Sequence, residues 1–207
     1  MKKSTLHSLV AAIAATAMLG LTGCETARIA FHSHSFKFDP PDRTPKNPSA
    51  VKVKISTGAQ RLYVVEGNEV LIATPVTVGK AASPTPQGDF TIYSKQAHRR
   101  RVSQPDAGYP MTYWMEFKPA YGIHWGFMKP SPSTLGCVRM PLIAAKEVFA
   151  IVPKGAPLNI AKSQPWDDTI GKNLPTLDDG PLPNPPKSYL HSPQVFSDAA
   201  KGKMWHF

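Results

Sequence analysis

From Val51 the chain alternates, with Val51, Val53 and Ile55 apolar and Lys52, Lys54 and Ser56 polar, the period of a half-buried strand. A domain therefore starts at about residue 50. The stretch RLYVVEGNEVLIATPVTV supplies two more β-rich runs broken at Glu66-Gly67-Asn68-Glu69, a hairpin signal in which Gly67 or Asn68 takes positive φ. Pro75 removes a ladder donor and points to an edge or a bulge. Asp89 to Tyr93, Tyr113 to Phe117 and Tyr121 to His124 are predicted as further strands. Helical spacing first occurs after Pro141, where Leu142, Ala145, Phe149 and Val152 share one face. Pro153 and Gly155 end that helix, and Pro157 to Ala161 supply a closing strand. The expected fold is predominantly β, a sandwich or mixed sheets with one main helix, over residues 50–161.

The flanks lack such periodicity. MKKSTLHSLVAAIAATAMLGLTGC has a basic start, an apolar run from Leu9 to Leu21 and small residues up to Cys24, the layout of an export signal. The run is shorter than the ~20 residues that span a bilayer. Residues 24–49 are rich in Pro, Ser and charge and are expected to be a flexible tether. His32 and His34 have metal-ligand spacing but no further ligand nearby, which favours a solvated linker. Residues 162–207 are Pro-rich and aperiodic, an expected extended C-terminal tail that can pack back through Trp166 or Trp205.

Net charge is +10 at pH 7. In an exported chain this suits acidic envelope polymers and membrane head groups more than nucleic acid. The densest positive run, His98 with Arg99 to Arg101, either steers anions or is a solvated loop.

Cysteine usage narrows the chemistry. The sequence has two, Cys24 and Cys137. With Cys24 at the signal boundary, Cys137 has no intramolecular partner in an oxidising compartment, so it is buried and inert or kept for its reactivity. Its setting is GIHWGFMKPSPSTLGCVRMP. His124 lies at the end of an expected strand, and Gly126, Pro130, Pro132 and Gly136 make a loop that can fold back onto it. A His beside a Cys can take the thiol proton and return it to a leaving amine. Gly136 lets the backbone approach a substrate closely, and amides near Cys137 can hold a tetrahedral oxyanion. In extended backbone Arg139 points to the same side as Cys137, where it suits the oxyanion or a substrate carboxylate. A lone Cys is also a small hydrophobe, and composition alone leaves both readings open.

The stretch IHWG…PSPSTLGCVRMP resembles the active-site signature of the YkuD-type L,D-transpeptidases, a His followed by Ser/Thr-His-Gly-Cys-x-Arg or Asn. Thr134, Gly136, Cys137 and Arg139 match, and His124 takes the upstream position. QRLYVVEGNEVLIATPVTVGKAASPTPQGDFTI is similar to the opening of that family, including its Val-Gly-Lys and Thr-Pro-x-Gly-x-Phe turns. The resemblance implies Cys137 as nucleophile, His124 as base, and Arg139, Gly136 and Thr134 at the oxyanion or substrate. Tyr113 and Trp114 would correspond to cleft aromatics, with burial in a strand as the alternative. Trp125 and Phe127 suit a stacking wall beside the site or, equally, core packing.

The implied reaction attacks the bond between the L-centre of diaminopimelate and the terminal D-Ala of a peptidoglycan tetrapeptide stem. D-Ala leaves, and a Cys thioester passes to a stem amine, a D-amino acid, a lipoprotein Lys or water. No metal or organic cofactor is implied, and carbapenems are acylating ligands of the family. Leu21-Thr22-Gly23-Cys24 resembles a lipobox, which implies lipidation of Cys24, with Glu25 favouring the outer membrane. The sequence departs from the family pattern at Leu135, which replaces a His or Ser, and in the nine residues between His124 and Thr134, a short gap.

Other readings fare worse. Ser49-Ala50-Val51-Lys52 fits Ser-x-x-Lys but lacks Ser-Asp-Asn and Lys-Thr-Gly. Val78-Gly79-Lys80 is no phosphate loop, since Thr74 stands where its first Gly belongs. A non-catalytic module that ties an anchored lipoprotein to the wall is the alternative class, and the joint presence of Cys137, His124 and Arg139 argues against it.

Overall fold

The computed structural model describes residues 44–103, 109–178 and 185–203. The signal, Cys24, His32, His34 and Trp205 lie outside them. Among the described residues nine strands form two mixed sheets. The first has the order β3-β2-β1-β9-β4 and contains Val51–Ser56 (β1), Arg61–Glu66 (β2), Glu69–Pro75 (β3), Gly88–Thr91 (β4) and Pro157–Ala161 (β9). The second has the order β5-β6-β7-β8 and contains Ser94–Gln96 (β5), Trp114–Lys118 (β6), Tyr121–Trp125 (β7) and Val138–Met140 (β8). Helix Leu142–Ile151 (α1) follows β8 directly, after Pro141 at its N-cap.

The alternation seen in the sequence is the cause of the layering. Val51, Val53 and Ile55 are fully buried while Lys52 is exposed. The hairpin between β2 and β3 turns at Gly67 with φ +60°, and Pro75 ends β3 on the sheet edge, where a missing N–H breaks no ladder. The main core joins both sheets and α1, with Ile55, Leu62, Ile123, Val138, Met140, Leu142 and Val148 among its members. Reciprocal backbone bonds between Thr77 and Arg139, at 3.0 and 2.9 Å, stitch the strand end after β3 to β8.

The C-terminal segment differs from an extended tail. Its first part covers the outer face of the first sheet. Trp166 packs on Tyr63 at 5.5 Å, Tyr63 Oη donates to Asp167 Oδ1 at 2.8 Å, and Arg61 Nε donates to the Gly171 carbonyl at 2.8 Å. The expected return through Trp166 is thus present. Beyond it lie two short helices, Lys187–His191 (α2) and Gln194–Ala200 (α3), and Val195 and Ala199 of α3 are buried in the main core. Helices of one or two turns are too short for a helical period to show in the sequence, and tertiary contacts hold them.

Candidate active site

The second sheet has two unlike faces. Met115, Phe117, Ile123, Trp125, Val138 and Met140 point into the core. The alternate positions carry Trp114, Glu116, Gly122, His124, Cys137 and Arg139, because neighbouring residues on a strand face opposite ways. Parallel pairing of β7 with β8 sets Ile123 against Val138 and His124 against Arg139. Continued one step back, that register sets Gly122 beside Cys137. The result is a pocket of about 430 Å³ whose lining includes Trp114, Ala120, His124, Thr134, Leu135, Cys137 and Arg139.

His124 is buried, and its Nδ1 lies 2.5 Å from the Trp125 carbonyl oxygen. A carbonyl only accepts, so Nδ1 carries the proton and the Nε2 lone pair is left for other work. Burial is the main force lowering the imidazole pKa, to about 3, with Arg139 and Arg99 adding to it against the bond to Trp125. The ring is neutral at any physiological pH. Trp114 packs beside it at 5.4 Å between ring centroids. Gly122 makes room for that indole: a Cβ there would meet the Trp114 ring at 2.6 Å.

Cys137 is half-buried, and its Sγ lies 3.8 Å from the Ala120 carbonyl oxygen. Burial raises the thiol pKa, opposed by a backbone bond from Gly122 and by Arg139, Arg99 and Arg101. Thiol and imidazole are therefore both neutral at rest. A neutral imidazole is not a resident imidazolium that would lower the thiol pKa, and its Nε2 lone pair is able to accept a proton.

The loop before Cys137 is held by Thr134. Its Oγ1 donates to the Cys137 carbonyl at 2.6 Å and accepts from the Gly136 N–H at 3.1 Å. Thr134 N in turn donates to the Val78 carbonyl, and Lys80 N to the Thr134 carbonyl. The Val78-Gly79-Lys80 turn thus fixes the loop, and Gly79 must be Gly because a Cβ would meet Ser83 O at 2.3 Å. Gly136 has φ +108°, and a Cβ there would meet the Tyr121 ring at 2.4 Å. These bonds alter two expectations. The Gly136 amide is already spent on Thr134 and is no free oxyanion donor, and Thr134 acts on the loop through both its hydroxyl and its backbone. Arg139, with Nη1 3.4 Å from the Phe127 carbonyl, is the cation of the expected set that lines the pocket.

Of the aromatic residues assigned to the cleft, Trp114 lines it and Tyr113 does not. Tyr113, at φ +59°, faces the core, packs on Phe149 at 5.6 Å and donates through Oη to the Ala199 carbonyl at 3.3 Å. Trp125 is likewise a core residue, 2% exposed, and reaches the site only as the support on which Tyr109 stacks at 6.0 Å. Both belong to the wrong parity: they sit next in sequence to Trp114 and His124 and so point the other way. Two arginines of the run read as anion-steering or as a solvated loop, Arg99 and Arg101, join the lining, together with Tyr109 and Met111. Their signal in the sequence is the same alternation, applied to His98-Arg99-Arg100-Arg101. Among the described residues no three His, Cys, Asp or Glu gather as a metal site would require.

A two-sheet β scaffold here presents a thiol and a tautomer-fixed neutral imidazole in one arginine-rich pocket, the groups a cysteine acyltransferase uses. The family described as YkuD, L,D-transpeptidase catalytic domain, matches residues 50–160, more than half of the chain, and the chain belongs to it. The YkuD protein of Bacillus licheniformis is 31% identical over 123 residues, which cover 56% of this chain and 69% of that one. YkuD of Bacillus subtilis is 33% identical over 113 residues, 52% of this chain and 64% of its own. The fold is shared with an L,D-transpeptidase crystal structure from Stackebrandtia nassauensis at a TM-score of 0.51, 20% identity and 64% coverage of each chain. The family match ends at residue 160, before Trp166 and both C-terminal helices.

Proposed function

We propose that the protein transfers peptidoglycan tetrapeptide stems through a thioester on Cys137. Sγ attacks the carbonyl between the L-centre of diaminopimelate and the terminal D-Ala while its proton passes to His124 Nε2. The tetrahedral intermediate collapses with cleavage of the C–N bond, and the D-Ala amine leaves with that proton. An acceptor amine then attacks the thioester, gives a proton to His124, and sulfur leaves as thiolate to take that proton back. Arg139, with its charge on the pocket side, stabilises the oxyanion or holds a substrate carboxylate. The observation that carries this reading is the fixed Nδ1–H tautomer of His124 in the pocket that Cys137 lines.

Export follows from a substrate outside the cytoplasm. We extend it to lipidation of Cys24 and attachment to the outer membrane, on the Leu21-Thr22-Gly23-Cys24 stretch and Glu25. Labelling with a radioactive fatty acid in cells, wild type against Cys24→Ala, checks the anchor.

Intact-mass analysis with a carbapenem tests the nucleophile: the wild type gains one adduct and Cys137→Ala gains none. Incubation with purified muropeptides then identifies the acceptor, as a 3-3 cross-link, an exchanged D-amino acid, a protein conjugate or a shortened stem. Absence of both adduct and altered muropeptides would sink the enzyme reading.

A further inference from the structure

The segment 98–101 is two-sided. Arg99 and Arg101 line the pocket. His98 and Arg100 point the other way, onto the C-terminal helices. His98 stacks on Phe196 at 4.8 Å, and the Arg100 guanidinium lies 4.8 Å above the same ring. Arg100 also donates to the backbone carbonyls of Leu190, His191 and Ser192. Those three carbonyls are at the C-terminal end of α2, where a cation meets the negative pole of the helix. Cross-bonds from Arg101 N to the Tyr109 carbonyl and from Met111 N to the Arg99 carbonyl make this segment one wall of the pocket.

The pocket side carries an excess of positive charge. Among the described residues three arginines line it and no carboxylate does. Arg99 is partly neutralised by Glu116 at 3.4 Å, and its guanidinium carbon sits over the Trp114 ring at 4.3 Å. Its Nε is buried without a hydrogen-bond partner. Within the described residues the Arg101 side chain holds Ser103 Oγ, at 3.0 Å through Nε, and the Arg139 side chain holds a backbone carbonyl. Guanidinium forks with donors to spare in a half-enclosed pocket fit carboxylates.

We propose that Arg99 and Arg101 recognise carboxylate groups of the donor stem, and that Arg100 is a positioning residue through which the C-terminal helix pair holds them in place. The C-terminal segment beyond the family domain thereby sets substrate affinity without touching substrate. This rests on the transfer reading for the identity of the stem, but its test does not need turnover. Arg99, Arg101 and Arg139 all oppose the rise that burial gives the Cys137 thiol pKa, in keeping with their place beside Cys137 on the pocket lining.

Binding of a synthetic diaminopimelate-containing tetrapeptide is measured by calorimetry on the full chain with Cys137→Ala, beside the same peptide with its carboxylates amidated. Adding Arg101→Ala or Arg100→Ala weakens the acidic peptide about tenfold, the scale of one charge-assisted contact. Arg100→Lys recovers part of that loss. The amidated peptide binds weakly and equally to all variants. That equality separates lost positioning from a collapsed pocket, which would weaken both peptides. The proposal is overturned if Arg100→Ala leaves the acidic peptide unchanged or weakens both peptides alike. It is also overturned if the acidic peptide does not bind. A wild type that binds the peptide but releases no D-Ala counts against acyl transfer and leaves this inference standing.

Discussion

The two faces of the second sheet are made from the same strands, one residue apart, and obey different rules. On the core face Ile123, Val138 and Met140 are completely buried and carry no polar side-chain atom that needs a partner. On the other face His124 is almost as buried, yet its polar atoms are held by one backbone oxygen and by what the pocket admits. The core face tolerates apolar side chains of about the right volume; the pocket face demands particular atoms at particular places. Substitutions on the first should therefore cost stability and spare chemistry, and on the second the reverse.

His124→Gln gives the largest expected effect. Loss of the base lowers the rate of thioester formation by about 10²- to 10⁴-fold, the usual contribution of general base catalysis. Carbapenem acylation followed by mass spectrometry measures it, with circular dichroism showing a retained fold. A variant that acylates at the wild-type rate would remove His124 from the reaction.

Ile123→Ala, its neighbour in sequence, should cost about 2–5 kcal/mol of folding stability through the cavity it leaves. Acylation per folded molecule should stay within twofold. Gly136→Ala breaks the separation of the two faces. It lies on the loop that delivers Cys137, and it combines left-handed strain of about 1–3 kcal/mol with the Tyr121 clash. Melting temperature and acylation should fall together. Gly155→Ala is the control: φ is +93° there too, but nothing lies within 4 Å of the added Cβ, so only the strain remains.

The pH response sharpens the contrast. His124 has a pKa of about 3 when folded against an ordinary 6.5. Between those values the unfolded chain binds a proton that the folded chain refuses, so the contribution is present above pH 6.5 and is lost as pH falls toward 3. From pH 7 to pH 5 this residue should remove about 2 kcal/mol, and denaturant titrations of His124→Gln should lack that part of the slope. At the thiol the sign is opposite in consequence: burial raises the Cys137 pKa above its ordinary 9.0, so iodoacetamide alkylation should still be accelerating at pH 9.

Much of this contrast is legible in the order of residues alone. The apolar alternation places β1 to β3, β6, β7 and β9, and the signature around Cys137 singles out residues that share one face. Parity is legible too, since His124 and Trp125 on one strand cannot share a face, but family likeness draws Tyr113 to the cleft against it, and the stacking chemistry of an indole draws Trp125. Two kinds of feature leave no local trace. The strands β5 and β8 have three residues each, too few for a period. The helices α2 and α3 are held by Arg100 and by burial of Val195, contacts some 90 residues apart in the chain. Arg99 and Arg101 face the pocket by the same alternation that turns Arg100 onto those helices.

Leu135 should give the smallest effect on stability and the most informative one on the acceptor. Its side chain is 58% exposed at the rim of the pocket, so Leu135→His, which restores a residue of the family pattern, removes little buried apolar surface and should shift stability by less than about 0.5 kcal/mol. Leu135 makes no contact that fixes Cys137: the loop is set by Thr134 Oγ1 and by the φ of Gly136, neither of which changes. Carbapenem acylation should accordingly stay within twofold. What changes is the rim, where an imidazole replaces an apolar surface next to an excess of positive charge. If the rim chooses the amine that resolves the thioester, the ratio of cross-linked to hydrolysed muropeptides moves while the acylation rate does not. A changed acylation rate with an unchanged product ratio would place Leu135 with the donor side of the pocket instead.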